Sequence, residues 1–241
     1  MERIMKIHPD RLYAVLTGDI ISSSQFSAEK RREVLSSITS TARKMPGFFS
    51  GLEIMGPDIY RGDGWQMLLS EPQFAMKAAF YLRAGLKSNL LADTRISIGI
   101  GSVDHLTSEG LAQAGGDAFF FSGTGLDSLN KRETLVCWLI EPVNTAKTQV
   151  AGETAILNAY LNTALLFAGR LVDEWSQSEA WAVLKILEGD TQEAIASDWI
   201  AKGQTSQQNV AKTLSRAGWT AIEQLLSIFA YHIRQYNPNR G

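Results

Sequence analysis

The chain predicts an α+β protein in which a sheet-bearing domain over residues 1–142 is followed by helices alone. Three observations carry this. Strand-like and helix-like segments take turns up to Pro142, Arg95-Ile96-Ser97-Ile98-Gly99-Ile100-Gly101 alternates strictly between isoleucine and other residues, and beyond Pro142 the pattern is helical to Tyr236. With 241 residues, 45% of them hydrophobic, the chain has enough apolar side chain for a full core.

Residues 11–21 hold Leu12, Tyr13, Ala14, Val15 and Leu16 ahead of Gly18, which reads as a central strand buried on both faces. Residues 27–44 set Val34, Leu35 and Ile38 at helical spacing behind Ser27 as N-cap, and Pro46-Gly47 ends them. Two strands, 58–61 and 65–69, meet at Gly62-Asp63, a hairpin signal. A helix over 72–90 has Pro72 in its first turn. In strand 94–103, Ile96, Ile98 and Ile100 share one face, and the small residues on the other let a helix or a ligand come close. Residues 104–115 read as a polar loop, 118–129 as an aromatic-rich helix and 134–140 as a last strand closed by Glu141-Pro142. This order resembles an elaborated ferredoxin-like sheet with helices packed on one face.

A domain boundary is expected near residue 143. A long connecting helix fills 143–175, with Ile156, Leu157, Tyr160, Leu161, Leu165 and Leu166 along one stripe. Residues 176–241 then contain helices over 179–188, 191–202 and 205–217, separated by Gly189-Asp190 and Gly203-Gln204. Helix, tight turn and polar-faced helix read as a helix-turn-helix that offers Gln207, Gln208, Asn209 and Lys212 to a DNA major groove. Trp175, Trp181, Trp199 and Trp219 read as core of this region, and Phe119 to Phe121 as core and dimer contacts.

A formal net charge of -2 gives no global pull toward nucleic acid or an anionic membrane. Residues 176–241 hold six basic and six acidic residues, so DNA binding would rest on the motif rather than on charge. Cys137 is the single cysteine, which excludes an internal disulfide and a cysteine-based metal knuckle and fits a reducing interior. Met1 to Asp10 lacks a signal-peptide core, and no apolar run reaches about 18 residues. The expectation is a cytoplasmic protein with no membrane partner.

Two turns carry the chemistry. Gly18-Asp19-Ile20-Ile21-Ser22-Ser23-Ser24 and Gly62-Asp63-Gly64-Trp65-Gln66 each put a lone Asp beside a Gly at a strand end. Two such carboxylates brought together suit a hard divalent cation, Mg²⁺ or Mn²⁺, because Mg²⁺ takes oxygen ligands and only one or two of them from protein carboxylates. The simpler alternative is that each Asp caps its turn. Arg61 either reaches a phosphate or pairs with Asp58 or Asp63 at the surface.

These two turns are similar to the metal-binding elements of class III nucleotidyl cyclases, and residues 95–101 to the strand that follows them there. The chain as a whole resembles the SatD family, with Gln66 ending the hairpin motif, Gly116-Asp117-Ala118-Phe119 beyond it and a C-terminal helix-turn-helix. The resemblance implies a cyclase-type palm in which Asp19 and Asp63, with the Ile20 carbonyl, hold metal. Ser22, Ser23, Ser24, Arg61 and Gly62 would lie against a nucleotide, and two metals would drive displacement of pyrophosphate. A homodimer is implied too, because such palms work in pairs. The Asn and Arg that cyclases carry on the next helix are absent from Phe119 to Leu126, and losing such an Arg costs on the order of a thousandfold in rate. The expected function is therefore a regulator that binds a nucleotide or metal-nucleotide and passes that state to DNA. The alternatives are an active nucleotidyl cyclase or nucleotidyltransferase with a two-metal site at Asp19 and Asp63, and a dimerisation module that binds no nucleotide.

Overall fold

The computed structural model describes residues 5–60, 62–90, 92–107, 110–130, 133–139, 149–199 and 205–236. In chain order these form β1 (Tyr13–Ile20), α1 (Ala28–Lys44), β2 (Ile54–Tyr60), β3 (Gly64–Leu69), α2 (Ala75–Leu90), β4 (Thr94–Gly101), β5 (His105–Thr107), β6 (Gly110–Gly115), α3 (Asp117–Ser128) and β7 (Leu135–Leu139). Five helices follow: α4 (Gln149–Asp173), α5 (Gln177–Glu188), α6 (Gln192–Ser197), α7 (Gln207–Arg216) and α8 (Trp219–Tyr236).

The main sheet has the order β2-β3-β1-β4-β7. β1 runs antiparallel to both neighbours, and β7 joins β4 in parallel. A β-α-β-β-α-β unit with its strands in this order is ferredoxin-like, with β7 added at one edge, so the α+β class and the sheet of the palm follow from topology alone. β1 is the central strand, as its continuous apolar run requires. Ser27 caps α1 by accepting the N–H of Lys30 at 3.1 Å.

Helices do not share one face of the sheet. Ala14, Leu16, Ile96, Ile98 and Ile100 meet Val34 and Ile38 of α1 and the apolar side of α2 in the main core. The opposite face is covered by α3, because β4 offers it no side-chain bulk there. A Cβ on Gly99 would stand 2.2 Å from the Ala118 carbonyl oxygen, and one on Gly101 2.7 Å from Cβ of Asp117. The small-residue face of β4 thus receives a helix. Residues 104–115, expected as a loop, instead form the β5–β6 hairpin, and the Leu111 N–H donates to the Asp58 carboxylate of β2. Strands of three and six residues with little β-branching leave no period to read.

The expected boundary near 143 lies outside the described residues, as do the turn at Gly203-Gln204 and part of the helix expected over 191–202. The main core runs on without a break into the helices beyond. Val172, Trp175, Trp181, Val183, Ile195, Val210, Leu214, Phe229 and Ile233 belong to the same cluster as the sheet. α2 lies between the sheet and α5, which explains why it is apolar nearly all round. Tyr81 of α2 donates to Glu188 of α5 at 2.7 Å, and burial pushes its phenol pKa up, with Glu188 adding to the effect.

α4 is rotated from the expected stripe. Thr154, Asn158, Leu161, Leu165, Ala168 and Val172 face inward, whereas Ile156 and Tyr160 are 58% and 73% exposed. Two amides set this rotation. Asn162 accepts the N–H of Cys137 at 2.8 Å and donates to its carbonyl at 2.9 Å, and Asn158 does the same for Leu139 at 3.1 and 3.3 Å. One helical turn of four residues rises about 6.0 Å, close to the roughly 6.6 Å of two strand residues. Asparagines at i and i+4 therefore match the free edge of β7 and satisfy it as another strand would. One stretch of α4, Thr154–Asp173, is by length and composition alone apolar enough to cross a membrane. No uninterrupted apolar run of about 18 residues is present there, because Asn158, Asn162, Thr163 and Arg170 break it.

Replacing Asn158 and Asn162 together by Ala leaves the edge groups of β7 without partners, at about 1–3 kcal/mol for each N–H. Urea denaturation should show a loss of roughly 2–6 kcal/mol; a loss below about 1 kcal/mol would mean that water serves this edge equally well.

Candidate functional site

β1 delivers its last residues to a place where three strands converge. Asp19 stands across from Gly64 of β3 on one side and from Arg95 of β4 on the other. Gly18 is required just before it, because a Cβ there would lie 2.5 Å from the Trp65 ring and from the Arg95 carbonyl oxygen. Trp65 fills that space and donates to the Thr94 hydroxyl at 2.9 Å, which in turn donates to the Asp19 carbonyl at 2.7 Å. The Ile20 N–H donates to the Asp63 carbonyl at 3.2 Å, fastening the β2–β3 turn to the end of β1. Gly62 sits in that turn at φ 87°, a left-handed conformation suited to glycine.

Both aspartates are thereby brought to one cleft of about 800 Å³, whose walls include Asp19, Ile20, Ser22, Ser23, Ser24 and Asp63. The serines form a tight turn, entered through Ser22 at φ 57°. The Ser23 hydroxyl donates to Asp63, and Arg31 donates to the Ser23 carbonyl at 3.3 Å. Asp19 is engaged differently. Arg95 donates Nε to its Oδ1 at 2.8 Å and NH2 to its Oδ2, a two-pronged pair with both partners about three-quarters buried. That hydrogen bond, with the charges of Asp19 and Asp63, holds the guanidinium pKa above its ordinary value against the opposing effect of burial.

Further groups in the cleft come from distant parts of the chain. Lys87 of α2, Asp93, Thr134, and Arg170 and Asp173 of α4 complete its wall. Behind it lies Arg83, fully buried. Its guanidinium donates to both oxygens of Asp93 at 2.8 and 2.6 Å, to Asp173 at 2.8 Å and to Thr134 at 3.0 Å. Burial opposes its charge, but the two carboxylates outweigh that and raise its pKa. Lys87 adds a bond to the Asp173 carbonyl at 3.0 Å and an ion pair with Asp93 at 3.5 Å. Arg170 makes no ion pair with the described residues.

A metal fits this cleft only in part. Among the described residues no group of three or more His, Cys, Asp or Glu could hold an ion. Asp63 and Asp19 supply two carboxylates, the number Mg²⁺ ordinarily takes when phosphate and water provide the rest. Asp19 already answers to Arg95. The donor set suits an ion arriving with a phosphate ligand better than one held by protein alone.

Sequence reasoning placed Asp19, Ile20, the three serines and Asp63 together, and they line one cleft. Arg61 lies outside the described residues; the partners proposed for it, Asp58 and Asp63, accept from Leu111 and Ser23. Gln66 donates to the Thr17 hydroxyl at 2.9 Å, which donates in turn to Ser122 at 2.8 Å, so it ties β3, β1 and α3 rather than lining the cleft. Asp117 of the Gly116–Phe119 motif accepts from Ser102 at 2.9 Å and seats α3 on β4. Gln207, Gln208, Asn209 and Lys212 project from α7 into solvent, while Val210, Thr213 and Leu214 are buried. Arg83, Lys87, Asp93, Arg95, Arg170 and Asp173 escaped the sequence reading. Arg83 did leave a sign, as a charge within an otherwise apolar helix.

No family model matches the chain, and no curated protein matches it. Among solved structures, the crystal structure of the guanylyl cyclase Cya2 aligns over 53% of this chain and 75% of that one, at 16% identity and a TM-score of 0.35. So distant a likeness carries no argument about the cleft, which stands on its own geometry.

Replacing Arg83 by Met leaves Asp93 and Asp173 with Lys87 alone as a nearby cation, 3.5 Å from Asp93. The expected loss in urea denaturation is about 3–5 kcal/mol. A loss under about 1 kcal/mol would show that the network contributes little to holding α4 on the sheet.

Proposed function

We propose that this cleft binds a nucleoside triphosphate together with Mg²⁺ or Mn²⁺, and that the protein is a cytoplasmic regulator which passes the bound state to DNA. The observation that supports it is the meeting of Asp19 and Asp63 with three serines, Arg95, Lys87 and Arg170 in one cleft of about 800 Å³. Carboxylates suit the cation, hydroxyls and basic groups suit phosphate oxygens, and the volume lies in the usual range of small-ligand sites.

In this reading Asp63 and Asp19 hold the metal, which neutralises phosphate charge when bound. Arg95 then leaves Asp19 for a phosphate oxygen, keeping its two-pronged geometry. Ser22, Ser23 and Ser24 donate to phosphate oxygens, and Arg170 closes over them from α4. Turnover is not part of the proposal. α3 carries no basic residue among Asp117–Ser128, so it offers nothing to a developing charge on a displaced phosphate. The single buried thiol, Cys137, whose pKa burial pushes up, suits a reducing compartment.

α6 and α7 are proposed to act as a helix-turn-helix. Side-chain amides at Gln207, Gln208 and Asn209 suit adenine edges, and Lys212 suits a phosphate.

Titration of the purified chain with ATP and GTP, each with Mg²⁺ or Mn²⁺, and analysis of the products test the site. Saturable binding that Asp63→Ala abolishes, with no cyclic product, is expected. Turnover lost in Asp19→Ala would make the protein an enzyme, and absence of binding would remove the ligand. On promoter fragments, Gln208→Ala with Lys212→Ala should weaken retention about tenfold or more; unchanged retention would discard α7 as the reading helix.

A further inference from the structure

A second cavity lies away from the polar cleft. It is an open apolar groove of about 960 Å³ between α3, β7 and α4, whose walls include Phe121, Trp138, Ala155, Ala159 and Leu166. Beside it runs a ridge on α4, where Ile156, Tyr160 and Phe167 are 58%, 73% and 69% exposed. From Thr154 to Gly169 the helix has no charged residue, and Glu133 brings a charge to the wall of the groove.

We propose that this face joins two copies of the chain, with α4 packed antiparallel on its twin about a two-fold axis at Thr163. A two-fold contact requires one patch to be complementary to itself, with a projection and a matching hollow side by side. α4 has both. With Thr163 on the axis, Phe167 of one copy faces Ala159 of the other, Leu171 faces Ala155, and Tyr160 faces Leu166. Large side chains meet small ones at Phe167–Ala159 and Leu171–Ala155, while Tyr160 and Leu166 pack large against large, and the ridge of each copy enters the groove of its twin. Side chains left exposed here and on the adjoining Phe120 and Trp138 amount to on the order of 800 Å² per copy, the size of a standard stable interface.

A lipid surface is the competing cover for an apolar helix face. Helices that lie on membranes carry Lys and Arg along their polar side, whereas Arg170 is the one basic residue between Gln149 and Asp173. The inward side of α4 is also committed to β7 through Asn158 and Asn162. Charge and hydrogen bonding therefore both favour a second copy. With Thr163 on the axis, Arg170, which also lines the cleft, falls opposite Ile156 of the twin at the edge of the contact; no other cleft residue takes part.

Sedimentation velocity of the full chain across the micromolar range tests it, alongside flotation with phosphatidylglycerol–phosphatidylcholine vesicles. The wild type should sediment as a dimer and stay unbound to vesicles. Tyr160→Glu with Phe167→Glu should weaken dimerisation about a hundredfold or more, because each copy would bury unpaired charge; the far-ultraviolet circular dichroism should not change. Should that variant fail to fold, Thr163→Cys decides the matter. A covalent dimer through residue 163 under mild oxidation supports the axis, since the native Cys137 is buried. A wild type that is monomeric throughout, a dimer untouched by the two glutamates, absence of the cross-link, or a monomer that floats with vesicles would each overturn the proposal.

Discussion

One buried charge holds the parts of this molecule in register. Arg83 leaves a largely apolar stretch of α2, and its cost of burial is offset by Asp93 ahead of β4, Asp173 at the end of α4 and the Thr134 hydroxyl before β7. Three segments far apart in sequence are fixed to one guanidinium. Since Asp93, Thr134 and Asp173 also form a wall of the polar cleft, the shape of that cleft depends on the same tie.

The cleft itself is nearly balanced in charge. Asp19, Asp63, Asp93 and Asp173 face Lys87, Arg95 and Arg170, with Arg83 behind them. Such balance disfavours a bare anion or a bare cation and favours a ligand that brings both, which a metal–phosphate complex does. The pairing of Asp19 with Arg95 is where the exchange would occur, because both members lie at the cleft and each has a natural partner in such a ligand. Trp175 carries the region onward, donating to the Ala217 carbonyl at 2.9 Å between α7 and α8, while Arg216 of α7 reaches Glu179 of α5 at 3.3 Å. Only Glu174 separates Asp173 from Trp175 in the chain.

Much of the sheet could be read from the sequence. β1, β3 and β4 carry patterns that only a buried strand makes, and the two Gly–Asp turns mark where strands end and carboxylates emerge. The glycines of β4 announced a close approach without saying of what; it is α3. Harder to read was anything set by distant partners. Nothing local says that Asp19 meets Arg95, since the register that joins them belongs to two strands 76 residues apart. The inward face of α4 was misread because its apolar residues surround the helix, and the deciding groups are two polar ones, Asn158 and Asn162, whose partners lie on β7. Arg170 and Asp173 enter the cleft only because α4 returns to the sheet.

If occupancy of the cleft is felt along α4, amide hydrogen exchange with and without Mg²⁺ and nucleotide reads it directly. Slower exchange is expected in the turn around Ser22–Ser24 and, together with it, in α4 around Arg170 and Asp173. Protection of the serine turn with α4 unchanged, or of neither, would contradict a site built jointly by the sheet and the helix that follows it.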